Sequence, residues 1–157
     1  MKRIYYRFLL CMFLTAGCEP DDICIEGIPG TPQLIIVFYD KDNPNQTKEV
    51  SSLQVKGMDM EELLYDATTD SIAIPLKIKE TSSSFSFIST ENNTIFEELL
   101  RVDYTANDEF ISRACGFKTS YKNISISRIN SVTWIEKIIV VTDSISDTKE
   151  AHVKILH

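Results

Sequence analysis

Histidine is nearly missing from this 157-residue chain: only His152 and His157 occur, both within the last six positions. A zincin-type helix, a histidine-assisted serine triad and a histidine-rich metal cage all need imidazoles that this sequence does not supply. His152 is expected to face solvent if its neighbour Val153 faces the core. Five glycines leave little room for a phosphate-binding loop, and no Gly-x-Ser-x-Gly elbow occurs. The leading apolar run falls well short of the ~20 residues that a membrane-crossing helix requires. Positive charge is scarce too, with 16 Lys and Arg against 23 Asp and Glu, a net charge of −7. Nucleic-acid phosphates need a basic footprint, so no nucleic acid is expected as a partner. Internal repeats and low-complexity tracts are also lacking.

What remains is ordinary globular material, 43% hydrophobic and 25% charged, enough to bury one core. The first residues are not ordinary. Met1 to Arg7 is a short basic segment, Phe8 to Leu14 is apolar, and Thr15-Ala16-Gly17 supplies small residues for cleavage before Cys18. This stretch resembles the bacterial lipobox, in which the cysteine is acylated and becomes the first mature residue. The usual aliphatic position three before the cysteine holds Thr15 here, and Leu14 stands one step earlier. Residues 1–17 are read as a lipoprotein signal peptide, 18–30 as a lipidated tether and 31–157 as a single domain. Cleavage removes Lys2, Arg3 and Arg7 and no acid, which takes the net charge to −10. So acidic a chain has no electrostatic pull toward anionic membranes, and attachment must come from the lipid on Cys18.

Cys11 leaves with the signal and Cys18 takes the lipid, which leaves Cys24 and Cys115 in an exported, oxidising compartment. There two thiols usually form a disulfide. A redox pair would normally be closely spaced, and a zinc site needs more ligands than two. These alternatives are weaker than a structural bridge closing 91 residues.

Short strands follow the tether. Gln33 to Tyr39 is apolar on both faces, as in the middle of a sandwich. Leu53 and Val55 suggest a half-buried partner strand before Gly57. Ile72, Ile74, Leu76 and Ile78 alternate against Ser71, Ala73, Pro75 and Lys77. Pro75 lacks an N–H, so that strand is expected at an edge or with a bulge. Phe85 and Phe87 mark another strand. Thr94 and Glu97 could form a helix capping box, but Leu100, Val102 and Tyr104 alternate, and 94–104 is read as strand. Residues 110–118 alternate as a further strand, Ile124 and Ile126 continue the pattern, and Val132 and Trp134 follow. Ile138–Val141 and Ala151–Ile155 form a closing hairpin. The expected fold is all-β: an antiparallel β-sandwich, immunoglobulin-like in architecture.

No constellation for catalysis, metal or cofactor emerges. Asp40 to Asn45 begins like a calcium loop, but Pro44 stands where a ligand is needed, and a turn is the simpler reading. Asp59, Glu61 and Glu62 could serve as an acid/base pair, yet read better as a solvated loop. Arg101 and Arg113 could clasp an anion, and Tyr39, Tyr104, Tyr121 or Trp134 could stack on a sugar. In sandwiches such aromatics are usually core.

Asp21-Asp22-Ile23-Cys24, Thr31-Pro32-Gln33-Leu34-Ile35-Ile36, Phe38-Tyr39-Asp40, Asp70-Ser71-Ile72 and Ser112-Arg113-Ala114-Cys115-Gly116-Phe117 together resemble a family of small Bacteroidota lipoproteins known only as a domain of unknown function. The resemblance implies export and lipidation and supports the pairing of Cys24 with Cys115. It carries no activity or cofactor. Glu19, Asp21 and Asp22 are similar to the acidic signal that sends such lipoproteins to the cell surface, although Pro20 interrupts the run. Both faces of the outer membrane stay open. Ser71 and Ser144, each preceded by Asp and followed by Ile, resemble that phylum's O-glycosylation motif. The expected function is a non-catalytic envelope lipoprotein that binds an outer-membrane β-barrel or another envelope protein. The alternative is a surface glycan- or ligand-binding module, and a hydrolase comes last. Fold alone does not choose among these.

Overall fold

The computed structural model describes residues 23–24, 27–28, 30–131, 134–147 and 149–157. The expected signal segment 1–17, Cys18, Glu19, Asp21, Asp22 and Val132 lie outside the described residues. Among the described residues there are ten strands and no helix: β1 Leu34–Tyr39, β2 Val50–Gly57, β3 Leu63–Thr69, β4 Ser71–Ile74, β5 Ser82–Glu91, β6 Thr94–Ser112, β7 Gly116–Arg128, β8 Lys137–Val140, β9 Ser144–Ile145 and β10 Val153–Leu156. They form a four-stranded sheet, ordered β4-β1-β10-β8, and a six-stranded sheet, ordered β3-β2-β5-β6-β7-β9. The fold is a β-sandwich.

The chain divides into two compact units. The larger comprises Pro29–Glu109 and Lys118–His157, and the smaller Met1–Ile28 and Phe110–Phe117.

In the larger unit each sheet turns one face of alternating side chains into a common core. Leu34, Ile36 and Phe38 of β1 are buried together with Leu53 and Val55 of β2, Phe85 and Phe87 of β5, and Leu100 and Val102 of β6. The period-two pattern of the sequence thus becomes the two inner faces of a sandwich. Pro75 acts as its chemistry requires. β4 stops one residue before it and lies at a sheet edge. The strand pattern does not extend as far as expected, and Ile78 is half exposed. The 94–104 segment is strand, with a two-residue turn before it. Asn92 and Asn93 both have positive φ, and Glu91 pairs with Thr94. This is the left-handed conformation that a tight hairpin needs and that asparagine tolerates.

Several connections differ from the sequence expectation. β2 does not partner β1 but crosses to the other sheet, between β3 and β5. β1 and β10 pair in parallel, Ile36 opposite Val153, an exception within otherwise antiparallel sheets. The closing hairpin forms as expected, Val153 opposite Val140, but β9 branches from its connection and pairs with β7 in the other sheet. Val140 is followed by loop, not strand.

A buried ion pair secures the passage from β7 toward β8. Glu98 on β6 is fully buried and accepts from Arg128 Nε at 2.7 Å, while Arg128 Nη2 donates to the Ile135 carbonyl at 2.6 Å and the Glu136 carbonyl at 3.0 Å. One guanidinium so neutralises a core carboxylate and satisfies two loop carbonyls.

The smaller unit contains the turn between β6 and β7. The alternation predicts one strand through 110–118, whereas β6 ends at Ser112 and β7 begins at Gly116. The turn forms because the Ser112 hydroxyl accepts from the Cys115 N–H at 3.0 Å and Gly116 supplies a φ of 71°. Cys115 in this turn is disulfide-bonded to Cys24, with Cα atoms 4.8 Å apart. The expected bridge is present.

Candidate functional site

Most residues singled out in the sequence serve structure. His152 is the clearest correction, because it does not face solvent, and His157 is buried as well. His152 is 3% exposed and His157 8% exposed. His152 precedes β10 and docks on β1: the Ile35 N–H donates to its Nδ1 at 3.0 Å and its own N–H donates to the Ile35 carbonyl at 3.0 Å. His157 packs edge-on against Phe38 and Trp134, with ring centroids 6.1 and 5.7 Å away. Burial pushes both imidazoles below the ordinary 6.5, against a smaller opposing pull from Asp147 at His152.

Asp40 to Asn45 is a turn. The Asp40 carboxylate accepts from the Asp42 N–H at 2.8 Å, which holds its pKa below the ordinary value. Asp59, Glu61 and Glu62 are exposed, and Asp59 is paired with Lys77 at 2.7 Å. Arg101 pairs with Asp103 at 2.8 Å, and Arg113 belongs to the smaller unit. Ser71 is exposed at the start of edge strand β4, and Ser144 is half-buried in β9.

The four aromatics make no common platform. Tyr39 lies half-buried beneath the Lys154 ammonium, 4.8 Å from its ring centroid. Trp134 packs on Phe38 and donates its Nε1–H to the Phe87 carbonyl at 3.3 Å. Tyr104 and Tyr121 are core, edge to face at 5.1 Å. Their hydroxyls have a different use. Tyr121 donates to the Leu76 carbonyl at 3.1 Å and Tyr104 to the Lys77 carbonyl at 2.8 Å. Pro75 has ended β4, so these two carbonyls would otherwise lack ladder partners, and the tyrosines supply them. Burial pushes Tyr121 up to about 12 and raises Tyr104, which keeps both hydroxyls protonated as donors.

The segment so held forms one wall of a cleft of ≈ 160 Å³ in the larger unit. Pro75, Leu76 and the Lys77 stem face Gly57, Met60, Leu64 and Phe85 across it. Gly57 lets Met60 lie close against the backbone there, since a Cβ would stand 3.1 Å from Met60 Sδ and that side chain would have to give by a few tenths of an ångström. The Met60 N–H donates to the Gly57 carbonyl at 3.0 Å and the Met58 N–H to the Ser84 carbonyl at 3.0 Å, folding the β2–β3 turn over the cavity. Lys77 and Asp59 form a charged clasp at its rim, which lowers the Asp59 pKa and raises that of Lys77 through their hydrogen bond. Met58, Met60, Leu63 and Ile78 are exposed along the β2–β3 turn and the chain after Pro75. Sequence reasoning picked out Asp59 and Pro75 here but not the cleft. The unread signal was Gly57-Met58-Asp59-Met60, a glycine turn carrying two flexible apolar side chains.

Chemically the cleft suits one apolar group. Drug-sized ligands occupy roughly 300–1,000 Å³, whereas a cavity of about 150 Å³ lined by aliphatic and aromatic groups holds a single benzene ring. Two larger depressions, of ≈ 450 and ≈ 320 Å³, share Ser146, Asp147 and Lys149 and are more polar. No Phe, Tyr or Trp among the described residues lines either, and the only aromatic ring at the smaller one is the imidazole of buried His152. Among those residues no group of His, Cys, Asp and Glu is placed to hold a metal ion.

The fold defines an all-β sandwich domain. The chain belongs to a family of unknown function (DUF6452), whose model matches residues 52–157. No curated protein and no solved structure matches it.

Proposed function

We propose that this chain is an exported lipoprotein of the bacterial cell envelope, akin to the small Bacteroidota lipoproteins it resembles. It is fastened to the outer membrane through Cys18 and acts as a non-catalytic accessory to another envelope protein. The observation that carries the binding role is the cleft: a ring-sized apolar hole, roofed by Met60, clasped by Lys77 and Asp59 and flanked by exposed Met58, Leu63 and Ile78. A hole of this size takes one Phe- or Leu-sized side chain of a protein partner, and flexible methionines let its rim adapt. An outer-membrane β-barrel, with its aromatic girdles, is a partner of the right chemistry. The lipobox-like Leu14–Cys18 supports the anchor, and the exposed hydroxyl of Ser71 is the more accessible of the two candidate glycosylation sites.

The test is a photocrosslinking amino acid in place of Ile78, activated in intact cells. One envelope protein should be captured repeatedly, and Leu64→Lys should abolish the adduct while the fold is retained. Repeated absence of any envelope adduct would sink the proposal. The glycan-binding reading draws on the ≈ 450 Å³ depression, whose volume lies in the small-ligand range. It lacks a stacking ring, and flat binding across a glycan array would dismiss it.

A further inference from the structure

We infer that the β6–β7 turn of the smaller unit dips into the same lipid surface that carries Cys18, with Phe110 and Phe117 as its apolar contacts. This rests on the lipoprotein reading and goes beyond it, by giving the protein a second, non-covalent hold on the bilayer.

Three observations carry it. Phe110 and Phe117 flank the turn and stack edge to face at 5.3 Å, yet are 56% and 68% exposed. Folding has brought two rings together without covering them. Ile23, bonded directly to Cys24 and so next to the disulfide, is 81% exposed. Large apolar groups gathered in this way mark a contact surface, not random exposure. The bridge then fixes where that surface must be. Cys18 stands six residues before Cys24, and six residues reach ~20 Å at most, short of the ~40–45 Å thickness of a bilayer with its headgroups. A lipid on Cys18 therefore keeps the turn within reach of the membrane surface whatever path the tether takes.

Charge points to the interface and not to a salt-dependent contact. Among the described residues of this unit Arg113 is the only charged side chain. The neighbouring tether sequence carries Glu19, Asp21, Asp22 and Glu26. Anionic headgroups would gain little from that sum, so the hold is apolar, as for rings seated at the headgroup boundary.

The experiment uses the acylated protein extracted from membranes, its mass checked for the lipid, and reconstituted in phosphatidylethanolamine–phosphatidylglycerol vesicles with or without brominated chains. The wild type has one tryptophan, Trp134, half-buried in the larger unit, which serves as control. In Phe117→Trp the added emission should shift to the blue on reconstitution and lose about half or more of its intensity to the brominated chains. Phe110→Trp, with unchanged melting temperature, should behave alike. An acylated, vesicle-bound protein in which both variants are quenched no more than the wild type would overturn the inference and leave the anchor standing. A blue shift without vesicles that grows with protein concentration would assign the rings to a second copy and overturn it too. Absence of acyl mass would overturn the anchor, and this inference with it.

Discussion

β6 and β7 carry two aromatic pairs of similar geometry and opposite fate. Tyr104 and Tyr121 meet edge to face at 5.1 Å, and Phe110 and Phe117 at 5.3 Å. The tyrosines are at most 5% exposed, and the phenylalanines more than half exposed. The buried pair has the more polar side chains. Their hydroxyls are the reason they are inside, because each satisfies a carbonyl left by the end of β4. The exposed pair has nothing polar to offer and remains uncovered. Burial here follows what each ring completes, and hydrophobicity alone would have ranked the pairs the other way.

The sharpest way to break this comparison is to truncate one ring of each pair. Tyr121→Ala opens the core and removes a carbonyl's donor, so it should cost about 3–5 kcal/mol in urea denaturation. Phe117→Ala should stay within about 0.5 kcal/mol. Equal losses would mean that the tip pair belongs to a core after all. Next in size is the bridge beside the exposed pair. It closes 91 residues, and Cys24→Ala should cost about 2–4 kcal/mol by the loss of a cross-link on the unfolded chain. An unchanged melting temperature would contradict this. Tyr104→Phe removes only the hydroxyl, which serves the Lys77 carbonyl and bonds the buried Ser83 hydroxyl at 2.7 Å, and should cost about 1–3 kcal/mol. The same variant should loosen the cleft wall, read as faster amide exchange around Leu76 and Lys77.

The mildest effect is that of pH, and it separates the same two regions. His152 and His157 both lie in the larger unit, and burial holds each below 6.5. The unfolded chain then binds more protons as pH falls. Their contribution to stability is whole above pH 6.5 and is lost as pH drops through the lowered folded values. Protonation of His152 at Nδ1 would also remove the acceptor used by the Ile35 N–H. The β1–β10 junction should therefore exchange its amides first on acidification, while the β6–β7 turn, with Arg113 the only charged group among its described residues, should not respond.

The sandwich was legible where burial strictly alternates. Ile72 and Ile74, and Leu100, Val102 and Tyr104, are buried in the order their spacing implies. It was illegible where alternation continues through a turn. Ile111, Arg113, Cys115 and Phe117 read as one strand, and only a serine hydroxyl and a left-handed glycine reveal the reversal. His152 was misread because the residue before Val153 leaves the strand geometry and turns onto β1. The cleft joins the β2–β3 turn, the chain after Pro75 and β5, segments whose meeting depends on β2 leaving its sequence neighbour for the other sheet. No local pattern encodes that crossing.

The Cys24–Cys115 disulfide ties the start of the chain to the β6–β7 turn, and we propose that Cys18, six residues earlier, fastens the same stretch to lipid. Intact mass spectrometry of the chain extracted from membranes, alkylated before any reduction, tests both at once. The predicted result is a chain that begins at Cys18, carries acyl mass and takes up no alkylating reagent. A chain without acyl mass, or one with two alkylated thiols, would contradict it.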